Sequence, residues 1–336
     1  MTWDQTDTTE SSAAAARRAT SGRRRQWPAA VPLLLTVAAL LWLAGPSAGG
    51  AMRAQGATGT PVAMACAVPM LSADPPAASP VATTVPATGA PVVGGSDSDA
   101  IQAVARAFAS CLTKGNYRTA ARLGTANELG ALYGGGEPLD ATDFLALVKD
   151  VPPVSTRIVA IADVKVQGGK SATAMVDSVV GNQLLQERWS FVASSRARQG
   201  ETGWQVDRQE AMAVDPPDGA SSLEVAMEEN AFGLIETEAR GPDLVLKGRN
   251  GGAEDHEMLV VRLRRGTTTG DILRAPGPGL PRGATFVGQV TVPANDRAEM
   301  VLVDLDPGTY TIIDLLPAPN GTPHLASGME IDFHVT

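Results

Sequence analysis

The C-terminal third of the chain consists of short apolar or alternating segments separated by turn residues. In order, these segments read LEVAMEEN, DLVLKGRN, HEMLVVRLRRG, ATFVGQVTV, EMVLVDL, GTYTIIDLL and MEIDFHVT. A single short helical pattern, TTTGDILRA, interrupts them. Strands at this spacing, with turn signals between them, are typical of antiparallel sandwiches. The pattern therefore predicts an all-β Greek-key sandwich over residues 220–336.

The preceding segment changes its hydrophobic period at Pro152-Pro153. Before this point, an i, i+3, i+4 pattern predicts a first helix after Ser96, then a helical region at about 117–133 and a third helix in ATDFLALVKD. After it, RIVAIADVKV, SATAMVDSVV, QLLQERWSFVAS and GWQVDRQEAM predict four hairpin-connected strands. Strict alternation in the first strand places five residues on one face: Ile158, Ala160, Ala162, Val164 and Val166. Three helices followed by an antiparallel sheet predict an α+β domain over residues 98–213.

The first 97 residues carry targeting and linker signals. Five arginines precede the apolar run VPLLLTVAALLWLAG, which predicts a signal peptide or an N-terminal membrane anchor within residues 1–51. Residues 52–97 are rich in Pro, Ala and Thr and predict a disordered linker. We therefore expect an extracytoplasmic protein, secreted or anchored to the cell membrane. The sequence does not decide whether Cys66 and Cys111 form a disulfide bond. Cys111 could instead be a small residue of the core.

Charge and motifs exclude several functional classes. The net charge is −9, and an acidic body does not suit nucleic-acid binding or adsorption to anionic membranes. Membrane contact is expected only through the N-terminal apolar segment, if it is not cleaved. The sequence contains no nucleophile-elbow, P-loop, zinc-protease or CxxC motif. We therefore expect no enzymatic activity.

The element order of residues 98–213, with the strand start Gly203-Trp204, resembles the SnoaL-like, or nuclear transport factor 2-like, cone. The resemblance implies a curved sheet around a pocket that could bind a small molecule. Four carboxylates are available on the predicted strands: Asp163, Asp177, Glu187 and Asp207. Charges at alternating strand positions usually form a solvated face, so a catalytic role is not the default interpretation.

The C-terminal segment resembles the cupredoxin, or blue-copper, fold through NGGAEDHEMLVVRL, LDPGTYTIIDLL and GTPHLASGMEIDFHV. The resemblance implies a candidate copper site formed by His256, Asp314, His324 and Met329. Asp314 stands where the family has a cysteine, and the predicted sandwich contains no cysteine. Without a thiolate, a type 1 copper site cannot form.

Three interpretations of Asp314 remain open at this point. Asp314 could ligate Cu(II) together with His256 and His324, hydrogen-bond to one of these histidines in a metal-free relic, or lie in solvent. Met329 could bind Cu(I), act as an axial neighbour, or belong to the core. The acidic residues around His256 could attract cations or form an ordinary solvated loop, and His334 is expected to have no ligand role.

These observations favour a non-enzymatic cell-envelope protein whose degenerate cupredoxin-like domain binds copper weakly or not at all. Two alternatives remain. One is a copper-binding or electron-transfer protein with a modified His-Asp-His-Met site, and the other is a small-molecule binding protein that uses the SnoaL-like pocket. The sequence implies no cofactor other than copper.

Overall fold

A computed structural model describes residues 66–71, 92–93, 96–133, 135–195, 198, 201–276 and 279–336. The predicted signal or anchor segment and most of the predicted linker lie outside these ranges. Within them, no helix combines the length and the apolar character needed to cross a bilayer.

Of the five α-helices in the described part of the chain, four lie in the first segment, where the sequence predicted three helical regions. They are α1 (Asp97–Thr113), α2 (Tyr117–Leu123), α3 (Ala126–Tyr133) and α4 (Ala141–Leu147). The predicted region 117–133 is thus two helices, because the chain is extended at Gly124 and its following residue donates a backbone hydrogen bond to Val206. Ser96 caps α1 as predicted, since its hydroxyl accepts the backbone N–H of Asp99.

Two short strands and four long ones accompany these helices. They are β1 (Met70–Leu71), β2 (Val92–Val93), β3 (Thr156–Gln167), β4 (Ser171–Val180), β5 (Gln183–Ala193) and β6 (Trp204–Ala211). Strands β3 to β6 form the predicted antiparallel hairpins.

The predicted alternation of β3 is wrong in its second half. Register shifts interrupt its pairing with β4, and Asp163 adopts a φ of 50° at the second shift. A bulge adds a residue to one strand and so changes which side chains face inward. As a result Ile161 packs against the core while Ala162 and Val166 are exposed.

A disulfide bond joins Cys66, within the predicted linker, to Cys111 of α1. Nearby, Pro69 accepts a backbone hydrogen bond from Thr202, and Val68 packs against the core formed by α1 and the sheet. The structure thus contains the bridge that the sequence left open. Residues 66–71 are fastened to the first segment by this bond.

The second segment, as far as the structure describes it, contains nine further strands and one short helix. They are β7 (Ser221–Glu228), β8 (Ala231–Leu234), β9 (Glu238–Ala239), β10 (Leu244–Asn250), β11 (His256–Leu263), α5 (Thr269–Leu273), β12 (Ala284–Val292), β13 (Arg297–Leu302), β14 (Gly308–Ile313) and β15 (Glu330–Val335). All seven predicted strands are present. The short strands β8 and β9 were not predicted, because four and two residues are too few to show a period.

Two sheets face each other in this segment. One has the order β12-β11-β14-β15-β9, and the other includes β13-β10-β7-β8. Their inward side chains form one apolar core that includes Leu246, Met258, Tyr310 and Phe333. The predicted β-sandwich is present, but not all of its strands are antiparallel as expected, because β7 pairs with β10 and β9 pairs with β15 in parallel.

The second of these sheets continues into the first segment. Strand β13 pairs with β5 at Leu302 and Gln183, so that β3-β4-β5-β13-β10-β7-β8 is one sheet. The β4–β5 turn reaches across to β12, where the backbone N–H of Asn182 donates to Val287. A Cβ on Gly181 would lie 2.8 Å from this Val287 oxygen, so the close approach favours glycine. The domain boundaries at residues 98–213 and 220–336 remain a prediction.

Candidate metal centre

The candidate residues lie at the ends of strands in the five-stranded sheet. His256 is the first residue of β11, Asp314 directly follows β14, and Met329 directly precedes β15. His324 begins a 3-10 turn that ends before Gly328, which has a φ of 96°. Because β11, β14 and β15 are adjacent strands, their ends bring these residues together.

Backbone hydrogen bonds hold the loop from β14 to β15 in place. The N–H of Leu325 donates to the carbonyl of Asp314 at 2.7 Å, and the N–H of His324 donates to Leu316 at 3.0 Å. Asn320, Gly321 and Thr322 form an exposed turn at the tip of this loop. These bonds fix His324 beside Asp314 without any contribution from a metal.

One carboxylate oxygen joins the two histidines. Oδ2 of Asp314 lies 2.8 Å from Nδ1 of His256 and 3.0 Å from Nδ1 of His324. The two imidazole ring centroids are 4.6 Å apart. The other carboxylate oxygen accepts the backbone N–H of Leu316 at 2.8 Å. Three of the four predicted site residues therefore form one cluster, with one potential ligand atom from each residue lying within 4.8 Å of the others.

The cluster is closed to solvent. His256 and Asp314 are 0% exposed and His324 is 2% exposed. The interpretation of Asp314 as a solvent-exposed loop residue is therefore wrong, because the β14–β15 loop folds back over it. Burial raises the pKa of the Asp314 carboxyl, while the hydrogen bonds from His256 and Leu316 act in the opposite direction.

A second carboxylate contacts His324 on its other ring nitrogen. Nε2 of His324 lies 2.9 Å from Oε2 of Glu254, whose side chain is 30% exposed. Both ring nitrogens of His324 thus face carboxylate oxygens. Because a carboxylate can only accept, the two contacts require two ring protons, a proton on a carboxyl group, or a metal ion in place of one proton.

The loop that carries Glu254 is itself fixed. Asn250 Nδ2 donates to the carbonyl of Glu254 at 2.8 Å, and the carboxylate of Glu229 accepts the backbone N–H groups of Ala253 and Glu254. Glu254 therefore has a structural partner in His324. The interpretation of the acidic residues around His256 as an ordinary solvated loop did not include this contact.

Glu257 is one of the acidic residues around His256, but it lies inside the protein at 2% exposure rather than in a solvated loop. Its Oε1 accepts the backbone N–H of Leu315 at 2.9 Å, and its Oε2 accepts from Gln289 at 2.5 Å. Burial, with the nearby charge of Asp314, raises the pKa of Glu257 to about 7. The sequence signal that could have revealed this is the continuous apolar run MLVV directly after Glu257, since such a run is typical of a strand buried on both faces.

Met329 occupies the core rather than a solvent-facing position. It is 0% exposed and belongs to the apolar cluster between the two sheets. Its backbone N–H donates to His324 at 3.2 Å, and its carbonyl accepts from Asp314 at 3.3 Å. Core packing is confirmed for Met329, and a ligand role remains a prediction. His334 is exposed and its ring contacts Thr309, away from the cluster.

The residues present do not fit a type 1 copper centre. Such a centre depends on a thiolate ligand, and the two cysteines of the chain are bonded to each other in the first segment. The donor set of two imidazoles and one carboxylate fits a harder divalent cation. Nε2 of His256 is buried and has no hydrogen-bond partner. Within the described residues, no other group of three potential metal ligands converges in this way.

No protein-family model and no curated protein matches the chain. Among solved structures, auracyanin from the photosynthetic bacterium Roseiflexus castenholzii matches 35% of this chain and 99% of its own, with 21% identity and a TM-score of 0.26. Auracyanin B matches 37% of this chain and 93% of its own, with 21% identity and a TM-score of 0.25.

A multi-copper oxidase from Pediococcus acidilactici matches 45% of this chain and 35% of its own, with 11% identity and a TM-score of 0.23. Each of these three matches covers less than half of this chain. The TM-scores are too low to carry functional information from these proteins to this one. The resemblance of residues 98–213 to the SnoaL-like cone stays a prediction.

Proposed function

We propose that this chain is a non-enzymatic protein of the cell envelope, exported or tethered to the membrane, whose cupredoxin-like sandwich binds copper weakly or not at all. Its His256–Asp314–His324 cluster serves as a buried hydrogen-bonded support for the strand ends. The contact of one Asp314 oxygen with both Nδ1 atoms carries this proposal, because it links the two histidines through protons alone, although Nε2 of His256 keeps no partner.

Three features weaken metal binding at this cluster. A metal ion bound through the two Nδ1 atoms would have to replace the protons that they share with Asp314. The ligand atoms are almost completely buried, so the ion must enter through a closed loop. The strong bond that a thiolate would supply is missing, since Asp314 provides a hard oxygen donor instead.

The disulfide bond supports an extracytoplasmic location. Structural disulfides persist in oxidising compartments and are rare in the cytosol of most organisms. The Cys66–Cys111 bond closes a loop with a sequence separation of 45 residues, and it fastens the chain just after the predicted signal or anchor. The arginine-rich segment before the first apolar run also favours an extracytoplasmic location for the rest of the chain.

A second candidate function is a modified copper centre formed by His256, Asp314, His324 and Met329. The convergence of the three ligand atoms favours it. Glu254 would then act on the outer ring nitrogen of His324, as carboxylates commonly do for metal-bound histidines. This centre would hold copper through two imidazoles and a carboxylate, and electron transfer would lack the thiolate that couples blue copper to its partner.

Titration of the purified full chain with Cu(II), followed by electron paramagnetic resonance, separates the two candidates. Our proposal predicts spectra and affinity that do not change when Asp314 is replaced by alanine, because only surface groups would bind the ion. Exposed His334 supplies the control, since His334→Ala should reduce such surface binding. A nitrogen-coordinated, type 2-like signal at one copper per chain that disappears in Asp314→Ala would establish the modified copper centre instead.

A further inference from the structure

A second group of buried carboxyl groups lies in the first segment, away from the candidate metal centre. Glu128 on α3 is 0% exposed and Glu187 on β5 is 4% exposed. Asp207 on β6 is half-buried beside them. The interpretation of Glu187 as part of a solvated strand face is therefore wrong, because α3 covers this side of the sheet.

These carboxyl groups have neutral hydrogen-bond partners. Oε1 of Glu128 accepts from Gln209 at 2.7 Å, while its Oε2 is buried without a partner. Oε2 of Glu187 accepts the indole N–H of Trp189 at 2.9 Å. Among the described residues, no lysine, arginine or histidine forms a salt bridge with Glu128 or Glu187.

A metal ion does not explain this group. Among the residues that the structure describes, Glu128, Glu187 and Asp207 do not converge on a common position as the histidine cluster does. Two buried charges without a counterion are strongly unfavourable, and such groups are commonly neutralised by a proton. A proton is therefore the occupant that the geometry accommodates.

The surrounding charges reinforce this conclusion. Burial raises the pKa of Glu128 to about 8, and the charges of Glu187 and Asp207 add to the effect against the Gln209 hydrogen bond. Burial raises the pKa of Glu187 to about 7, while the Trp189 N–H acts in the opposite direction.

We propose that Glu128 and Glu187 form a proton-binding site that fastens α3 to the sheet and loosens this helix when the site is emptied. Helix α3 packs against β6 and α4. On β6, Asp207 lies beside the two glutamates, and Gln209 donates a hydrogen bond to Glu128. The acidic residues at the start of α4 are exposed to solvent. Arg188 of β5 pairs with Glu210 on the outer face of the sheet and does not neutralise the site.

The sign of the pH dependence follows from proton counting. In the folded chain the pair keeps protons that a solvent-exposed glutamate releases near its ordinary pKa of 4.5. Stability from this site is therefore complete at acidic pH and is lost as the pH rises towards 7 and 8. For each proton retained, the unfolding equilibrium constant rises about tenfold per pH unit in this window.

Urea unfolding of the full chain, measured from about pH 5 to pH 8, tests the proposal. Glu128→Gln and Glu187→Gln imitate the protonated side chains, and each should remove about a tenfold change per pH unit from the profile. Glu210→Gln, on the exposed face of the neighbouring strand, is the matched control and should leave the slope unchanged.

Infrared difference spectra of the unmodified chain provide a second measurement that does not depend on how the variants fold. Protonated carboxylic acid absorption at neutral pH should exceed the share of the buried Glu257 carboxyl, whose pKa is also raised to about 7, and should disappear towards pH 9. Parallel stability profiles for wild type and both glutamine variants, or the absence of this excess absorption at neutral pH, would overturn the proposal. Neither result bears on copper binding.

Discussion

Replacing Asp314 with alanine should destabilise the folded chain more than any surface change in the same domain. The substitution removes the acceptor for three hydrogen bonds, from His256, His324 and the backbone of Leu316. The two histidines are almost fully buried, so water cannot replace the carboxylate beside them, whereas the Leu316 hydrogen bond is part-buried. Breaking a buried ionic or hydrogen-bonded pair by removing one partner costs about 3–5 kcal/mol. Asp314→Asn keeps one acceptor oxygen and should cost roughly half as much.

Urea denaturation followed by far-ultraviolet circular dichroism measures this loss through the transition midpoint and the slope. Asp306→Ala is the matched control, because its carboxylate forms an ion pair with Arg262 at 2.9 Å but is 80% exposed. Exposed pairs contribute about 0–1 kcal/mol. If the Asp314→Ala protein unfolded within about 1 kcal/mol of wild type, the interpretation of the cluster as a stabilising support would be wrong.

Three further predictions concern the rest of the molecule. Reduction of the Cys66–Cys111 bond, which has a sequence separation of 45, should lower the free energy of unfolding by about 4 kcal/mol; equal urea midpoints with and without reductant would contradict this. Gly288→Ala places a Cβ 2.8 Å from Leu302 and should cost about 1–3 kcal/mol in thermal unfolding, whereas an unchanged melting temperature would show that the core yields easily. Tyr310→Phe removes a 2.8 Å hydrogen bond to a backbone carbonyl and should cost about 1 kcal/mol in urea, so a neutral result would remove this contact from the account.

The sequence predicted the strands well because their side-chain periods and turn residues are local signals. The four hairpin strands of the first segment and the seven longer strands of the second are present. The bulge in β3 was not predictable, because Asp163 adopts its left-handed conformation where the pairing register with β4 shifts. The disulfide was left open for a similar reason, since the approach of Cys66 to α1 depends on tertiary contacts of residues 66–71.

At the candidate site, the resemblance located His256, Asp314 and His324, and the structure brings them together. It did not reveal that Asp314 is fully buried or that Glu254 reaches the outer nitrogen of His324. Burial and pairing of charges depend on how loops fold over strand ends, which no sequence period records. Glu128 was missed for the same reason, because a glutamate in a short helix has the same local pattern whether it faces water or a sheet.

The most direct measurement of the central claim is the thermal stability of the full chain in chelator and in excess Cu(II). A cluster held by protons alone should give the same melting temperature in both solutions, within the small shift that weak surface binding causes. A ligand at about 1,000 times its Kd stabilises a folded protein by roughly 4 kcal/mol. A rise of this size on adding Cu(II), absent in Asp314→Ala, would contradict the account and show that the His–Asp–His cluster is a working metal site.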